Sequence, residues 1–257
     1  MEIFWVGIVT LIGAGLTLFS GFGLGTLLMP VFALFFPIDM AIAMTAIVHF
    51  SNNLIKFGFF YRHLDWKIIL RFGIPSVVAA FAGAILLASI SLLKPLAVYS
   101  LGGHQFLITP VKLVIAILLV IFSMMELTPR LSGIQFDRKY MPLGGILSGF
   151  FGGLSGNQGA LRTAFLIRAG LSKEMFIGTG VAIACLVDVT RLSIYSENIL
   201  PTISRDQIFL LSVAIVSAFI GVYLGNKLIR KITIKTLQAL VAVLLLIFSV
   251  LLGAGII

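Results

Sequence analysis

The stretch GFFGGLSGNQGALR at residues 149–162 is a polar, glycine-rich interruption in a chain that is otherwise as apolar as lipid. It contains five glycines, Gly149, Gly152, Gly153, Gly156 and Gly159, and the polar side chains Ser155, Asn157, Gln158 and Arg162. Glycine weakens a helix, so we expect the backbone to break within this stretch. A broken backbone at membrane depth is tolerated only where it is buried in protein or lines a wet cavity. The stretch therefore predicts a cavity that holds a polar solute.

Arg162 indicates the charge of that solute. An arginine in a membrane segment costs about 2.5 to 3.5 kcal/mol on insertion scales, and ionisable residues there usually mark a ligand or ion pathway. Its guanidinium is always charged and presents several N–H donors to oxyanions, so we expect a bound anion. The alternative is a structural role, in which Arg162 pairs with Asp188 or with helix carbonyls.

The composition places the whole chain in a membrane. Of its 257 residues 60% are hydrophobic and 11% are charged, against about 25% charged in an ordinary soluble domain. The net charge of +9 fits the basic loops of a membrane protein, and we do not expect nucleic acid as a partner. The one cysteine, Cys185, excludes an internal disulfide, and His49, His63 and His104 lack metal-site spacing. We expect no metal and no cofactor.

Hydrophobic segments divide the chain into two similar halves. The first half, residues 1–128, has a broken segment at 4–36 and spans at 38–60, 68–91 and 111–125. A polar linker at 129–141 follows, and the second half, 142–257, has a broken segment at 142–168 and spans at 175–195, 207–228 and 237–252. A shift of 134 positions superposes Gly25 on Gly159, Thr45 on Thr179 and Tyr61 on Tyr195. Weak internal repeats of this kind are typical of transporters.

The distribution of Lys and Arg selects between two topologies, because cytoplasmic loops carry an excess of both. If each broken segment crosses the membrane once, nine basic residues lie inside and eight outside, and there is no bias. If each broken segment enters and leaves on the same side, thirteen lie inside and four outside. We therefore predict an all-α integral membrane protein of two inverted repeats. Each repeat has a re-entrant helical hairpin and three transmembrane helices, and both termini lie outside.

The two hairpin tips, residues 20–25 and 155–159, approach each other near the middle of the membrane in this topology. Helix N-termini at such tips expose unpaired amides with about half a positive charge, which favours an anion without any special side chain. The predicted substrate-binding residues of this region are Ser20, Gly21, Gly23, Gly25, Ser155, Gly156, Asn157, Gln158, Gly159 and Arg162. The GxxxG spacing of Gly145, Gly149 and Gly153 predicts close helix packing rather than chemistry.

Polar side chains also follow the span at 38–60. Thr45, His49, Asn52 and Lys56 are spaced as one stripe of a helix, and Asn53 lies beside them. The stripe either forms interhelical hydrogen bonds or lines the transport pathway, and we include His49, Asn52 and Asn53 among the predicted substrate-binding residues. We expect Lys56 to extend to the cytoplasmic interface.

Asp188 and Arg191 lie three positions apart on the span at 175–195. They form either a local ion pair or a functional site in which Asp188 loads and releases a proton as an anion moves. His49 is a second candidate for proton coupling, because imidazole titrates near neutral pH.

The motifs GFGLGTLLMP at 21–30 and GFFGGLSGNQGALRTAFLIRAG at 149–170 resemble the sulfite exporter TauE/SafE family. The resemblance covers essentially the whole chain as two repeats. It implies a small polytopic transporter of sulfite, sulfoacetate or another sulfur-containing organic anion, which members of the family are generally thought to export.

Other functional classes have weaker signals. Residues 153–156, Gly-Leu-Ser-Gly, match the serine motif of rhomboid proteases, but every histidine precedes Ser155, so the expected order of nucleophile and base fails. A gated anion channel, or a permease for a different small anion, would share the features described above. We predict a transporter of the inner cell membrane, driven by a proton or by the membrane potential, that acts on a small anion and is not an enzyme.

Overall fold

A computed structural model describes residues 2–20, 23–128, 135–228 and 234–257 of the chain. Its helices are α1 (Glu2–Ser20), α2 (Leu24–Ala33), α3 (Ile38–Phe60), α4 (Trp66–Ser91), α5 (Pro110–Leu127), α6 (Met141–Ser155), α7 (Gly159–Leu166), α8 (Lys173–Asn198), α9 (Arg205–Leu228) and α10 (Ile234–Gly253). A π-helical turn at Ile69–Gly73 lies within α4, and short 3-10 turns stand at Arg138–Tyr140, Ile167–Ala169 and Leu200–Thr202.

Five helices within the described ranges are long and apolar enough to cross a membrane. They are Ile38–Phe60, Trp66–Ser91, Pro110–Leu127, Lys173–Glu197 and Arg205–Gly225. On α4, Leu70, Ile74, Val78, Phe81 and Ile85 form one exposed apolar stripe, as expected for a face in contact with lipid. The predicted all-α membrane fold is confirmed.

Local signals explain where several helices begin. Thr109 accepts a hydrogen bond from the Lys112 amide (3.3 Å) and so caps α5, whose first residue is Pro110. Ser172 caps α8 in the same way through the Met175 amide (3.2 Å).

A small β-hairpin joins α4 to α5. Strand β1 (Ala97–Leu101) pairs antiparallel with β2 (His104–Ile108). The turn residues Gly102 and Gly103 have φ values of +60° and +81°, which a two-residue hairpin turn requires and glycine adopts without strain. The Tyr99 hydroxyl donates to the Ala254 carbonyl (2.6 Å), so the hairpin is attached to the end of α10.

The second broken segment is a helical hairpin of α6 and α7. Near its tip, the Ser148 hydroxyl donates to the Gln158 carbonyl (3.1 Å). At the opposite end, the Phe136 amide donates to the Ala164 carbonyl (3.1 Å), and the Phe136 and Phe165 rings stack with centroids 4.2 Å apart. The chain therefore returns to the end from which it entered.

The first broken segment has the same form. A Cβ at Gly13 of α1 would lie 3.1 Å from the Leu24 side chain and 3.2 Å from the Leu27 side chain of α2. Farther from the tip, Val9 and Leu34 line one cavity, so α1 and α2 run in opposite directions side by side. The predicted hairpin form of both broken segments is confirmed.

Each hairpin is held by one long helix through close glycine contacts. A Cβ at Gly145, Gly149 or Gly153 of α6 would overlap the carbonyls of Phe72, Ser76 or Ala80 on α4. In the same way, Gly221 and Gly225 of α9 lie against Leu11 and Gly15 of α1. The prediction that the GxxxG glycines serve helix packing is confirmed.

The two halves also meet through α3 and α8. Gly178 lies against the Phe60 and His63 carbonyls, and His49 lies against Asp188, so the two helices are antiparallel. Inverted halves require this direction. The inversion itself, and the division at residues 129–141, remain predictions.

The glycine packing predicts a contrast between two alanine substitutions. Gly149→Ala places a methyl group on the Ser76 carbonyl oxygen. Because this oxygen belongs to the backbone of α4, it cannot move away, and the free energy of unfolding should fall by more than about 2 kcal/mol. Gly58 has no atom within 4 Å of a new Cβ and lies within α3, so Gly58→Ala should be neutral or slightly stabilising. Thermal unfolding in detergent compares the two. Equal effects would show that the α4–α6 contact is not tight.

Candidate functional site

The two hairpin tips are in contact. The second tip turns at Gly156, whose φ of +80° is strained for other residues and whose amide donates to the Gly152 carbonyl (2.9 Å). A Cβ at Gly25 of the first tip would lie 3.7 Å from the Gly156 carbonyl oxygen and 3.5 Å from Thr45. The broken ends of both hairpins therefore meet beside α3.

A buried polar network lies next to this contact. Asp188, fully buried, lies 2.7 Å from His49 Nδ1 through Oδ2, and it accepts from Arg191 Nη2 (2.7 Å) and Nε (3.0 Å) through Oδ1. Asn53 also donates to Oδ2 (3.2 Å). Because the carboxylate can only accept, the His49 ring donates from Nδ1 and leaves Nε2 directed elsewhere. A Cβ at Gly23 would lie 3.5 Å from that Nε2.

Arg191 and Tyr195 attach the second tip to α8. The Tyr195 hydroxyl donates to the Gly153 carbonyl (2.6 Å), in the last turn of α6. A Cβ at Gly156 would lie 2.6 Å from Arg191 Nη1, so only glycine leaves room for the guanidinium. The sequence analysis assigned no role to Tyr195; the only signal was its alignment with Tyr61 in the internal repeat.

The Asp188–Arg191 ion pair, one of two interpretations in the sequence analysis, is confirmed. Proton coupling by Asp188 or His49 remains a prediction. Asp188 is held by a guanidinium on one oxygen and by the imidazole on the other, whereas His49 lines a cavity.

That cavity, which we call the cationic cavity, has a volume of about 120 Å³. It is lined by Thr17, Gly23, Leu24, His49, Asn53, Lys56, Arg162, Thr163, Leu166, Lys173, Phe176, Ile177, Gly180 and Val181. Three of these side chains are cationic and none is acidic. The cavity therefore favours a negatively charged occupant.

Arg162 reaches the cavity from α7. Its Nη1 donates to Gln158 Oε1 (3.1 Å) rather than to Asp188, so the guanidinium is oriented by the hairpin tip itself. Its remaining N–H groups are available to a ligand in the cavity.

The position of Lys56 differs from the predicted one. The sequence analysis predicted that it extends to the cytoplasmic interface, but only 6% of it is exposed and it lines the cationic cavity. The reason is that the polar stripe of α3 faces α8, so the cavity, and not the membrane surface, surrounds the ammonium group. Within the described part of the chain, Lys56 has no hydrogen-bond acceptor.

The predicted substrate-binding residues lie in different places. Gly23, His49, Asn53 and Arg162 line the cationic cavity. Gly25, Ser155, Gly156, Asn157, Gln158 and Gly159 form or flank the tip contact, and Asn52 is buried in α3 without lining this cavity. Gly21 and the Ser20 side chain lie outside the described residues. The sequence analysis missed Lys173, Thr17 and Thr163, which become neighbours of the site only in the folded chain.

Several buried donors near the tips lack partners among the described residues. They are Asn157 Nδ2, Gln158 Nε2 and Arg191 Nη1, and on α3 both amide atoms of Asn52 and the Thr45 hydroxyl are also unpaired. Interhelical hydrogen bonds therefore do not explain Asn52 and Thr45 here. Buried polar groups normally have partners, so these atoms mark places for water or a ligand.

The buried network predicts a strong effect of Asp188→Asn on stability. The substitution keeps the size of the side chain but leaves the Arg191 guanidinium buried without a counter-ion, which typically costs about 3–5 kcal/mol. Asp137→Asn is the matched control, because Asp137 pairs with Arg168 (3.5 Å) at an exposed position. Thermal unfolding in detergent should separate the two variants. Similar small shifts would contradict a structural role for the Asp188 carboxylate.

A comparison with known proteins identifies the family of the chain. The family model described as sulfite exporter TauE/SafE matches residues 6–252, which is nearly the whole chain. No curated protein matches the sequence. The chain belongs to the sulfite exporter TauE/SafE family.

Proposed function

We propose that this protein exports a small sulfur-containing anion, sulfite or an organosulfonate, and that the anion binds in the cationic cavity. Membership of the TauE/SafE family implies a membrane transporter of sulfite or related anions. The particular anion, the direction and the driving force are part of the proposal.

One observation carries the proposal: Lys56, Arg162 and Lys173 line a single cavity that has no acidic lining residue. Separate surface cations would mean little, because solvent screens them. Lys56 is buried and Arg162 is half-buried, so the field that they create in the cavity is screened much less.

The same cavity offers donors of different shape. Arg162 presents planar N–H groups, which suit two oxygens of one oxyanion, whereas Lys56 is a flexible point charge. His49 and Asn53 lie at the inner end, next to the first hairpin tip at Gly23. An anion that enters past Lys173, which is exposed, would meet these groups in turn.

We further propose that movement of the hairpin tips exposes the bound anion to the other side of the membrane. The backbone is already broken at both tips, so they can shift without unwinding a helix. A proton or the membrane potential would drive this movement. Inverted repeats, with both termini outside the inner cell membrane, are the topology that we assign to it.

The topology predicts a labelling pattern in intact cells. In a Cys185→Ser background, Gln105→Cys on the β-hairpin should react with a membrane-impermeant maleimide, because we place this loop outside. Lys139→Cys, in the linker that we place in the cytoplasm, should react only after the cells are opened. The reverse pattern would overturn the orientation, and labelling of both sites in intact cells would contradict a membrane crossing by α5, which separates the two sites.

The cavity predicts the effect of neutralising its cations. Arg162→Gln and Lys56→Gln should each weaken sulfite binding roughly ten- to a hundredfold, because a hydrogen bond to a charged group contributes about 1.5–3 kcal/mol. Lys67→Gln, an exposed cation outside the cavity, should have no such effect. The measurement is thermal stabilisation of the detergent-purified chain by sulfite, sulfate, thiosulfate, sulfoacetate, taurine and chloride.

Uptake into proteoliposomes with the same variants separates a transporter from a channel. Saturable uptake that weakens in the two cavity variants supports the proposal. If no anion stabilises the wild-type protein, or if stabilisation persists without Arg162 and Lys56, the cavity is not the binding site. Flux that does not saturate would favour a gated channel.

A further inference from the structure

A second cavity lies on the other face of the hairpin tips. It has a volume of about 20 Å³ and is lined by Gly23, Thr26, Phe122, Glu126, Asn157, Gly159, Ala160 and Leu245. Gly23 also lines the cationic cavity, so the two spaces are neighbours at the first hairpin tip. We call the second space the tip cavity.

The N-termini of two helices point into the tip cavity. Helix α2 begins directly after Gly23, and α7 begins at Gly159. Neither N-cap residue, Gly23 or Gln158, satisfies the first amides of its helix with a side chain. Unsatisfied amides and the positive ends of two helix dipoles therefore converge on one small space.

A buried side chain points to a ligand in this space. Asn157 lines the tip cavity, is 7% exposed, and its Nδ2 has no hydrogen-bond partner in the described part of the chain. A buried amide donor without a partner is costly, and an acceptor in the cavity would satisfy it. Two helix N-termini and a free amide donor favour an oxyanion or a carboxylate.

The carboxylate is already present, because Glu126 of α5 lines the same cavity. Among the described side chains, α2, α7 and α10 present Thr26, Ala160 and Leu245 to it, and no other titratable or charged group lines the cavity. Glu126 also has no hydrogen bond or ion pair to any described residue. It is half-buried, next to the positive helix ends, at the site where an anion would bind.

We propose that the tip cavity, which has room for about one water molecule in this conformation, becomes a second anion subsite when the hairpin tips move, and that Glu126 is its proton-binding gate. This inference rests on the proposed function, since it requires an anion that passes the tips. The ionised Glu126 carboxylate makes no hydrogen bond to the described donors of the tip cavity, but its charge repels an anion from the cavity. When Glu126 takes up a proton, this charge disappears, and the anion binds at Asn157 and the helix N-termini.

The exchange couples one proton to each anion. The proton is bound at the Glu126 carboxyl as the anion enters the tip cavity, and it leaves when the anion departs and the carboxylate returns. No other bond is formed or broken. Anion and proton therefore leave the cell together, and the membrane potential, rather than proton entry, drives export. Glu126, rather than Asp188 or His49, carries the proton.

The test compares the pH dependence of sulfite uptake in proteoliposomes of the wild-type chain and of Glu126→Gln, from about pH 5 to about pH 8. Sulfite itself gains a proton near neutral pH, but this contribution is the same for both proteins. The difference between the two pH profiles therefore reports the protonation of the Glu126 carboxyl group alone. In the wild type, the KM for sulfite should rise by about tenfold per pH unit once Glu126 is ionised. Glu126→Gln is always neutral and should lack this rise.

Two further variants keep the test decisive. Glu197→Gln removes an exposed acid at the end of α8 and should retain the wild-type profile. Asn157→Ala keeps the gate but removes the donor, so it should raise the KM at every pH without changing the slope. Thermal unfolding confirms that each variant is folded, and a pH-sensitive dye inside the vesicles should record one proton fewer per sulfite in Glu126→Gln.

The outcomes separate the two proposals. If Glu126→Gln transports sulfite with the wild-type pH profile and proton count, the gate is overturned while sulfite transport stands. If the wild-type protein does not transport sulfite at any pH, the proposed function fails, and the gate fails with it. If Glu126→Gln does not fold, Glu126→Asp takes its place, because it withdraws the carboxylate from the tips by one methylene group. An unchanged profile in Glu126→Asp, together with an unchanged KM in Asn157→Ala, would overturn the subsite.

Discussion

The carboxylate of Asp188 is the acceptor on which the centre of this protein depends. It receives hydrogen bonds from His49 and Asn53 on α3 and from Arg191 on its own helix α8. The ion pair would be unstable in lipid, so the surrounding helices must enclose it completely, and both partners are in fact fully buried. Because Arg191 also lies against Gly156, the same interaction sets the position of the second hairpin tip. The Asp188–Arg191 interaction therefore also affects the shape of the cavities beside the tips.

The helical backbone can be interrupted at the tips because the rest of each hairpin packs tightly against a neighbouring helix. Small residues let α6 approach α4, and α1 approach α9, until backbone touches backbone. Such contacts replace the hydrophobic effect, which does not drive helices together in lipid. The hairpin helices are therefore packed closely against their neighbours, and the polar residues lie at the centre. There, Gly156 forms the turn of the second tip, and side chains of three helices supply the hydrogen-bond donors.

Much of this arrangement could be predicted from the sequence. Breaks in the helices follow from clustered glycines, spans follow from length and hydropathy, and the Gly145–Gly149–Gly153 spacing indicates a close helix contact because its cause is local. The positions of Lys56 and Glu126 could not be predicted in this way. Hydropathy treats both as residues near the end of a span, and only the packing of other helices shows that each faces a cavity. Tyr195 is similar, since its partner is a backbone carbonyl forty-two positions away.

The bond between Tyr99 and the Ala254 carbonyl has a mechanical consequence. It joins the β-hairpin of the first half to the last residues of the second half, at the end of the α5–α10 pair that is remote from Glu126. A Cβ at Gly255 would also crowd the Leu107 carbonyl, so the attachment is close as well as directional. Any motion that separates the two halves must therefore break this attachment as well as the backbone contacts of α4 with α6 and of α1 with α9.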